Sequence, residues 1–287
     1  MTPSDEVFEG ERPRLKRLAY RMLGQLADAE DIVQETWLRW RRAAPEDLAD
    51  PTAWLVRIAT RLSIDQLRAE RVRREAYRGP WLPDPLIEAL TTDPVERAEE
   101  ISIAFLLALE RLSPLERAVL LLHDVFEVDY PAIAETLDRS EAACRQLLSR
   151  ARGHVRGARS RYSATPADVS RFVTAFQAAS DRGDLSPLSE LLVEDAVLIS
   201  DGGGVRSAAL RPLIGREDVL RLIRGIMWRG PRPAPSAVRL ARVNGGLGFV
   251  MTDAKGPMVL ALEMSEGGRI AAIYLLCNPE RLHPIVS

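Results

Sequence analysis

The spacing of apolar residues changes along this chain, and the change excludes any single repeated architecture. As far as Leu192 apolar side chains recur at helical intervals; from Ala196 onward short β-prone runs alternate with glycine-bearing turns. Within the helical part, Leu15, Leu18, Ala19, Met22 and Leu23 share one face and Gly24 follows as a stop. A second helix carries Ile32, Val33, Trp37 and Leu38, with Asp28 as its candidate cap. Asp50-Pro51 is a cap and first-position pair for a third, which groups Leu55, Ile58, Ala59 and Leu62 on one face and Arg57, Arg61 and Arg68 on another. From about Arg78 to Asp93, Gly79, Pro80, Pro83 and Pro85 break regular structure, so this stretch is a linker. Trp81 and Leu82 inside it predict that the linker docks on something.

A second helical block runs from Val95 to about Arg161. Ile101, Phe105, Ala108 and Leu109 mark one amphipathic helix, and Ser113-Pro114-Leu115-Glu116 opens another with cap, proline and acidic first turn. Val169, Phe172, Val173 and Phe176 mark a helix after Pro166, and Leu188, Leu191 and Leu192 a further one. Strands are expected near 196–200, 236–243, 247–253, 257–265 and 269–277, as an antiparallel meander interrupted by a helix from about Glu217 to Trp228. Helices ahead of a curved antiparallel sheet predict an α+β domain at the C-terminus.

At 287 residues the chain exceeds what one compact core usually serves, so two or three domains are expected. Its net charge of −2 hides local asymmetry: Arg139 to Arg161 holds seven arginines against Glu141, and Arg57 to Arg74 holds six against Asp65 and Glu70. Such clusters suit contact with a polyanion, the plainer alternative being a solvated helix face. Two cysteines outside any CxxC pair, and three histidines far apart, make neither a disulfide framework nor a metal site, and no cofactor is expected. No apolar run approaches the roughly 20 residues that span a bilayer, and Met1 to Glu6 has no secretory character. A cytoplasmic protein with no membrane partner, monomeric when free, is the expectation.

The strongest functional signal lies between Tyr130 and Arg152. Ile133, Ala134 and Leu137 would pack the first helix of a helix-turn-helix, with a tight turn at Asp138-Arg139. Cys144, Leu148 and Ala151 would pack the second. That leaves Arg145, Ser149 and Arg152 on the outer face with Gln146 beside them, the side-chain types that reach base edges and phosphates in a major groove. An ordinary helical hairpin with a basic exterior is the alternative. Further upstream, Asp31 and Glu35 form an acidic stripe ahead of the arginine-bearing helix, a pair suited to gripping a protein with one surface and DNA with another.

The segment Asp28 to Leu38 resembles the polymerase-clamp-binding helix of extracytoplasmic-function RNA polymerase sigma factors. Pro51 to Leu55 and Asp65 to Arg68 are similar to their promoter-melting, minus-ten segment, and Ser113 to Arg152 to the sigma domain that reads the minus-thirty-five element. The matches occur in the family's order. Trp81-Leu82-Pro83-Asp84-Pro85, Asp201-Gly202-Gly203-Gly204 and Asn278-Pro279-Glu280-Arg281-Leu282 resemble motifs of the SigJ-like or ECF41-type group, which carries a fused SnoaL-like, NTF2-type extension in place of a separate anti-sigma protein. Where that group's glycine motif usually continues with lysine, this chain has Val205, so no role of that lysine carries over.

The resemblance implies a multidomain chain: sigma region 2, a helical bundle, over 1–77; the linker over 78–94; sigma region 4, with its helix-turn-helix, over 95–161; and an α+β SnoaL-like, NTF2-like cone over 162–287. It implies that Asp31, Gln34, Glu35 and Arg39 face core RNA polymerase. Arg57, Arg61 and Arg68 would meet phosphates of the opened minus-ten strand, and the loop Ala43 to Asp50, with Glu46, Asp47 and nearby Arg42, is where family members capture a flipped base. Trp54 reads as core, with base stacking as its alternative. Arg145 and Gln146 would read minus-thirty-five bases, with Ser149 beside them and Arg150 and Arg152 on phosphates. Trp81, Leu82, Asp201, Gly202, Gly203, Asn278 and Pro279 would carry regulation, with an unidentified small molecule as a candidate ligand of the cone.

Three other readings compete. A duplex-binding regulator without polymerase explains residues 113–158 but leaves Asp28 to Arg74 idle. Catalysis in the cone would need Asp184, Asp195 or Asp201 deep inside it. Cys144 could be a redox switch rather than a packed core thiol.

Overall fold

A computed structural model describes residues 3–43, 48–75, 77–88, 101–156, 166–228 and 237–286. They form two compact units, Met1–Ala76 with Leu106–Ala158, and Tyr77–Phe105 with Arg159–Ser287.

The first unit begins with α1 (Pro3–Leu23), α2 (Leu26–Ala43) and α3 (Pro51–Glu75). Leu15, Leu18, Met22 and Leu23 of α1 are fully buried, as are Val33 of α2 and Leu55 and Ala59 of α3. The core is built on one apolar stripe along much of each helix, but the end of α1 is buried all round, from Leu18 to Leu23. Gly24 ends α1 with a positive φ of 73°, and its N–H returns to the Tyr20 carbonyl at 2.7 Å. Asp50 caps α3 through the Ala53 N–H at 2.8 Å. Asp28 does not cap α2: the helix already starts at Leu26, and the carboxylate sits in its first turn, where it favours the positive end of the helix dipole.

After α4 (Ile103–Leu109) come α5 (Pro114–Asp124), α6 (Tyr130–Leu137) and α7 (Glu141–His154). Ile101 precedes α4 rather than opening it. A full capping box starts α5: Ser113 accepts from the Glu116 N–H while the Glu116 side chain accepts from the Ser113 N–H. Val119, Leu121 and Leu122 are wholly buried, which makes α5 the central helix of this half.

The second unit holds one seven-stranded sheet, in the order β1-β4-β5-β6-β7-β2-β3. Its strands are β1 (Ile87–Glu88), β2 (Leu192–Asp201), β3 (Leu213–Ile214), β4 (Ala237–Val243), β5 (Gly246–Asp253), β6 (Gly256–Met264) and β7 (Ile270–Leu276). β4 to β7 form the expected antiparallel meander, with Phe249 opposite Leu260 and Leu262 opposite Ile273. β2 departs from it by pairing parallel with β7, Leu198 beside Ile273. A parallel neighbour needs a long crossover, and here the chain between them, α10 (Arg216–Trp228) included, supplies one. Register shifts at Glu263/Met264 and between Leu192 and Val197 mark irregularities that bend strands.

Phe172 and Ala175 of α8 (Pro166–Arg182), Leu188 and Leu191 of α9 (Ser186–Leu191) and Val219 of α10 pack with Leu198, Phe249, Leu262 and Ile273 as one core. This is the α+β cone expected after the helical domains. α11 (Pro279–Val286) packs against β6. The linker supplies β1, an edge strand on β4 with Ile87 opposite Val243, so part of the proline-rich stretch is built into the sheet.

Candidate nucleic-acid interface and linker clasp

In the helix-turn-helix, Asp129 caps α6 through the Ala132 N–H at 3.1 Å. Asp138 takes the left-handed conformation, φ 53°, that ends it, and Ser140 caps α7 through the Ala143 N–H at 3.2 Å. Cys144, Leu148 and Ala151 are buried as their spacing requires, with Leu147 beside them. Arg145, Gln146, Ser149, Arg150 and Arg152 are exposed. All three arginines among them have carboxylate partners. Arg145 donates to Glu141 at 2.7 Å and lies over the Tyr130 ring; Arg150 is 3.2 Å from Glu116. Arg152 donates two bonds to Asp124, at 2.9 and 2.5 Å. Burial opposes ionisation of Asp124, yet Arg152 and His123 hold its carboxyl below the usual range. The Arg145–Glu141 pair is exposed on both sides and contributes roughly 0–1 kcal/mol, so it exchanges for phosphate at little cost. The side chains of Glu116 and Asp124, by contrast, are only 12% and 16% exposed.

On α2, Asp31 and Gln34 are exposed and Glu35 is half-buried, bonded to Arg39 at 2.9 Å. On α3 the three arginines separate. Arg68 turns to Asp65 at 3.2 Å. Arg57 and Arg61 instead reach α6: Arg57 donates to the Glu135 carboxylate, and Arg61 to the Thr136 and Glu135 carbonyls at 2.8 and 3.0 Å. Trp54 is half-buried, its ring 5.6 Å from that of the buried Trp40. In the loop Ala43 to Asp50, Glu46 and Asp47 lie outside the described residues. Sequence reasoning missed Glu135 altogether, and also Arg117, a buried guanidinium bonded to the Met22 carbonyl at 2.6 Å and to Glu110 at 2.8 Å. An arginine directly ahead of the apolar run Ala118–Leu122 was the available signal for Arg117.

In the second unit the linker is fastened to the cone through Asp201, at the end of β2 and 0% exposed. Its carboxylate accepts from the Tyr77 hydroxyl at 2.5 Å, the Leu82 N–H at 3.0 Å, the Gly203 N–H at 3.1 Å and Arg281 at 2.8 Å. Arg281 also binds Asp84 and lies over the Trp81 ring, 5.2 Å from its centroid. Two carboxylates thus share one guanidinium, and the hydroxyl and two N–H donors offset the remaining charge. Burial alone would lower the Arg281 guanidinium, but Asp84 and Asp201 carry it above its ordinary value.

Asn278 donates to the Tyr77 oxygen at 3.3 Å, and its side-chain oxygen accepts from the Glu280 N–H at 3.1 Å at the start of α11. Gly203 has φ 60°, and a Cβ there would stand 2.1 Å from the Asn278 amide nitrogen, so no other residue fits without movement. Leu82 is buried, Trp81 half-buried, and Asn244 exchanges bonds with Leu86, at 2.9 Å from its N–H and 3.1 Å to its side chain. The structure therefore brings Trp81, Leu82, Asp201, Gly203 and Asn278 together. It adds Tyr77, Asp84 and Arg281, of which Asp84 was legible as a carboxylate set between two prolines.

The Sigma-70 region 2 family profile matches residues 7–73, and the Sigma-70 region 4 profile residues 102–155. Over 288 aligned positions the chain is 39% identical to the ECF RNA polymerase sigma factor SigJ of Mycobacterium tuberculosis, covering 96% of this chain and 91% of that one. This chain belongs to the extracytoplasmic-function RNA polymerase sigma factors. It is also 31% identical to the probable ECF RNA polymerase sigma factor SigI of the same species, over 99% of this chain and 96% of that one. The crystal structure of M. tuberculosis SigJ superposes with a TM-score of 0.76 at 37% identity, covering 97% of this chain and 98% of that one. The likeness extends through the cone, so the extension is part of the family arrangement this sigma factor shares.

Within the sigma factor's cone, Asp184 and Asp195 are exposed and Asp201 is committed to the clasp. A small cavity of about 10 Å³ is lined by Phe172, Leu191, Leu247, Leu262 and Met264, with Asp168 at its side. That is room for about one water molecule. Cys144 is buried, and burial pushes its thiol above the ordinary value, which favours the packed-core reading over a redox switch. No helix among the described residues is long and apolar enough to cross a membrane.

Proposed function

We propose that this sigma factor directs core RNA polymerase to its promoters under control of its own cone, exerted through the linker. The observation that carries this reading is the clasp: Tyr77, Leu82 and Asp84 of the linker converge with Arg281 on the buried Asp201. The described stretch of the linker, residues 78–88, has a fixed course when held in this way, whereas a free one of the same composition would sample many. Clasped and released linkers are two states with different fitness for polymerase, and anything that binds one of them better shifts the balance.

In this reading Asp31, Gln34, Glu35 and Arg39 face the polymerase. Arg57, Arg61 and Arg68 meet the minus-ten strand. Arg145 and Gln146, with Ser149, read the minus-thirty-five duplex while Arg150 and Arg152 hold phosphates; their exposure on α7 supports the assignment. The cone acts as a regulatory domain in the cytoplasm rather than as a catalyst: of the three aspartates that could have served, Asp184 and Asp195 are exposed and Asp201 is ion-paired.

The test is transcription in vitro with purified core polymerase and a promoter selected from a genomic DNA pool. Trp81→Ala, which removes the ring under Arg281, is expected to change initiation while leaving affinity for the minus-thirty-five duplex alone unaltered. Initiation equal to that of the unsubstituted chain would sink the linker's part in control.

A further inference from the structure

We infer that Glu135, on the first helix of the helix-turn-helix, is an internal stand-in for promoter phosphate that holds regions 2 and 4 closed on each other. The inference rests on the phosphate-binding role proposed for Arg57 and Arg61. Those side chains are not displayed to solvent as a free basic ridge. Arg57 is bonded to the Glu135 carboxylate, and Arg61 donates to the Thr136 and Glu135 carbonyls. These last carbonyls of α6 carry the negative end of its dipole. A carboxylate and two carbonyl oxygens thus fill the places that phosphate oxygens would take.

Further contacts support the closed arrangement. Arg117 of α5 is buried and donates to the Met22 carbonyl at the end of α1 at 2.6 Å. Arg14 donates to the Phe126 carbonyl at 3.4 Å, and Arg21 lies over the Phe126 ring, 5.5 Å from its centroid. Geometry excludes this arrangement from a promoter complex. Elements named for positions about 25 base pairs apart lie roughly 85 Å apart along B-form DNA, whereas here α3 and α6 touch. Reading both elements therefore requires the Arg57–Glu135 contact to break, and DNA competes directly for the same guanidinium. The contact is suited to breaking, since the Glu135 side chain is 69% exposed and that of Arg57 26%.

The experiment measures the full chain, without polymerase, binding a fluorescent single-stranded DNA of the selected minus-ten sequence over a range of salt. Glu135→Ala is expected to bind roughly two- to fivefold tighter, the scale of one exposed ion pair. Its salt dependence should steepen by about 0.7, the slope of one added phosphate contact on a single strand. Glu135→Arg should exceed both effects through repulsion, and Glu135→Asp should stay close to the unsubstituted chain. Affinity unchanged in Glu135→Ala and Glu135→Arg, or tighter without a steeper slope, overturns the inference. Arg57→Ala separates this from the underlying assignment: if it leaves both strand binding and initiation intact, the phosphate-binding role itself is wrong. A second measurement leaves Glu135 in place and uses spin labels at two exposed positions, Arg17→Cys on α1 and Arg111→Cys just after α4. Their separation must lengthen when core polymerase and promoter are added; an unchanged distance overturns the closed state as a regulatory one.

Discussion

Arg57 and Arg281 are both arginines paired with carboxylates across long stretches of chain, yet they sit in opposite physical regimes. Arg57 meets an exposed Glu135, with water available to both groups. Arg281 has a side chain 13% exposed, against Asp84 at 8% and Asp201 at 0%. An exposed pair gains little and loses little on exchange, whereas a buried one cannot be broken without stranding charge. The difference teaches how one side chain type serves two ends. The first unit keeps Arg57 on a contact that DNA can replace, although its Arg117 is buried against the Met22 carbonyl and Glu110. The second uses Arg281 to fasten the Trp81–Asp84 stretch of the linker to the cone.

Removing the buried cation should have the largest effect. Arg281→Met leaves Asp84 and Asp201 without a guanidinium, and a loss of roughly 3–5 kcal/mol is expected in denaturant unfolding of the second unit. Faster hydrogen exchange at the Leu82 amide should accompany it. A loss under about 1 kcal/mol would place Arg281 with the surface arginines and end the contrast.

Next comes Gly203→Ala, which combines a left-handed backbone with a Cβ directed at Asn278. A cost of roughly 1–3 kcal/mol is expected, read as a lowered melting temperature, together with loosening of Tyr77. An unchanged melting temperature would mean that the loop shifts freely and that the clasp is less rigid than Asp201 suggests.

A pH series sharpens the comparison further, through a half-buried acid whose partner is a hydroxyl rather than a cation. Glu263 on β6 accepts from the Tyr274 hydroxyl at 2.8 Å, and burial holds its carboxyl above the ordinary 4.5. The folded chain therefore keeps this proton where the unfolded chain has lost it. The resulting stability is present below pH 4.5 and is lost as pH rises through the folded value. Glu263→Gln should flatten that part of the stability profile, and an identical slope in both proteins would show that Glu263 titrates normally.

The smallest effect is expected at the surface. Glu141→Gln weakens the pair with Arg145, the two side chains being 43% and 55% exposed. Stability should change by less than about 1 kcal/mol, while affinity for the minus-thirty-five duplex rises as Arg145 is freed for DNA. A loss of several kcal/mol would move this pair into the class of Arg281.

Much of the helical architecture was legible because each helix reports its own buried face. Cys144, Leu148 and Ala151 recur at the helical period, so the outer positions of α7 followed from the inner ones. Caps were equally local: Ser113 and Glu116, or Asp50 and Pro51, need only their neighbours in sequence. The parallel pairing of β2 was not legible, since strand periodicity shows which face is buried and not which strand lies alongside. By its local pattern Asp201 read as a turn residue ahead of three glycines; the family resemblance grouped it with Trp81, Leu82 and Asn278, but nothing within a few positions announced that Tyr77 and Arg281 would converge on it.

The sequence by itself determined the order of the helical and sheet-bearing parts, the helix-turn-helix and the family, and the helix faces in part, since Leu38 and Phe176 are exposed. These depend on side-chain spacing within a single element, where hydrogen bonds and burial repeat every turn. Only the tertiary structure decided which cation meets which carboxylate. Arg57 and Glu135 are 78 positions apart and Arg281 and Asp84 are 197 apart, and the burial that makes one pair exchangeable and the other permanent exists only once the chain has packed around them.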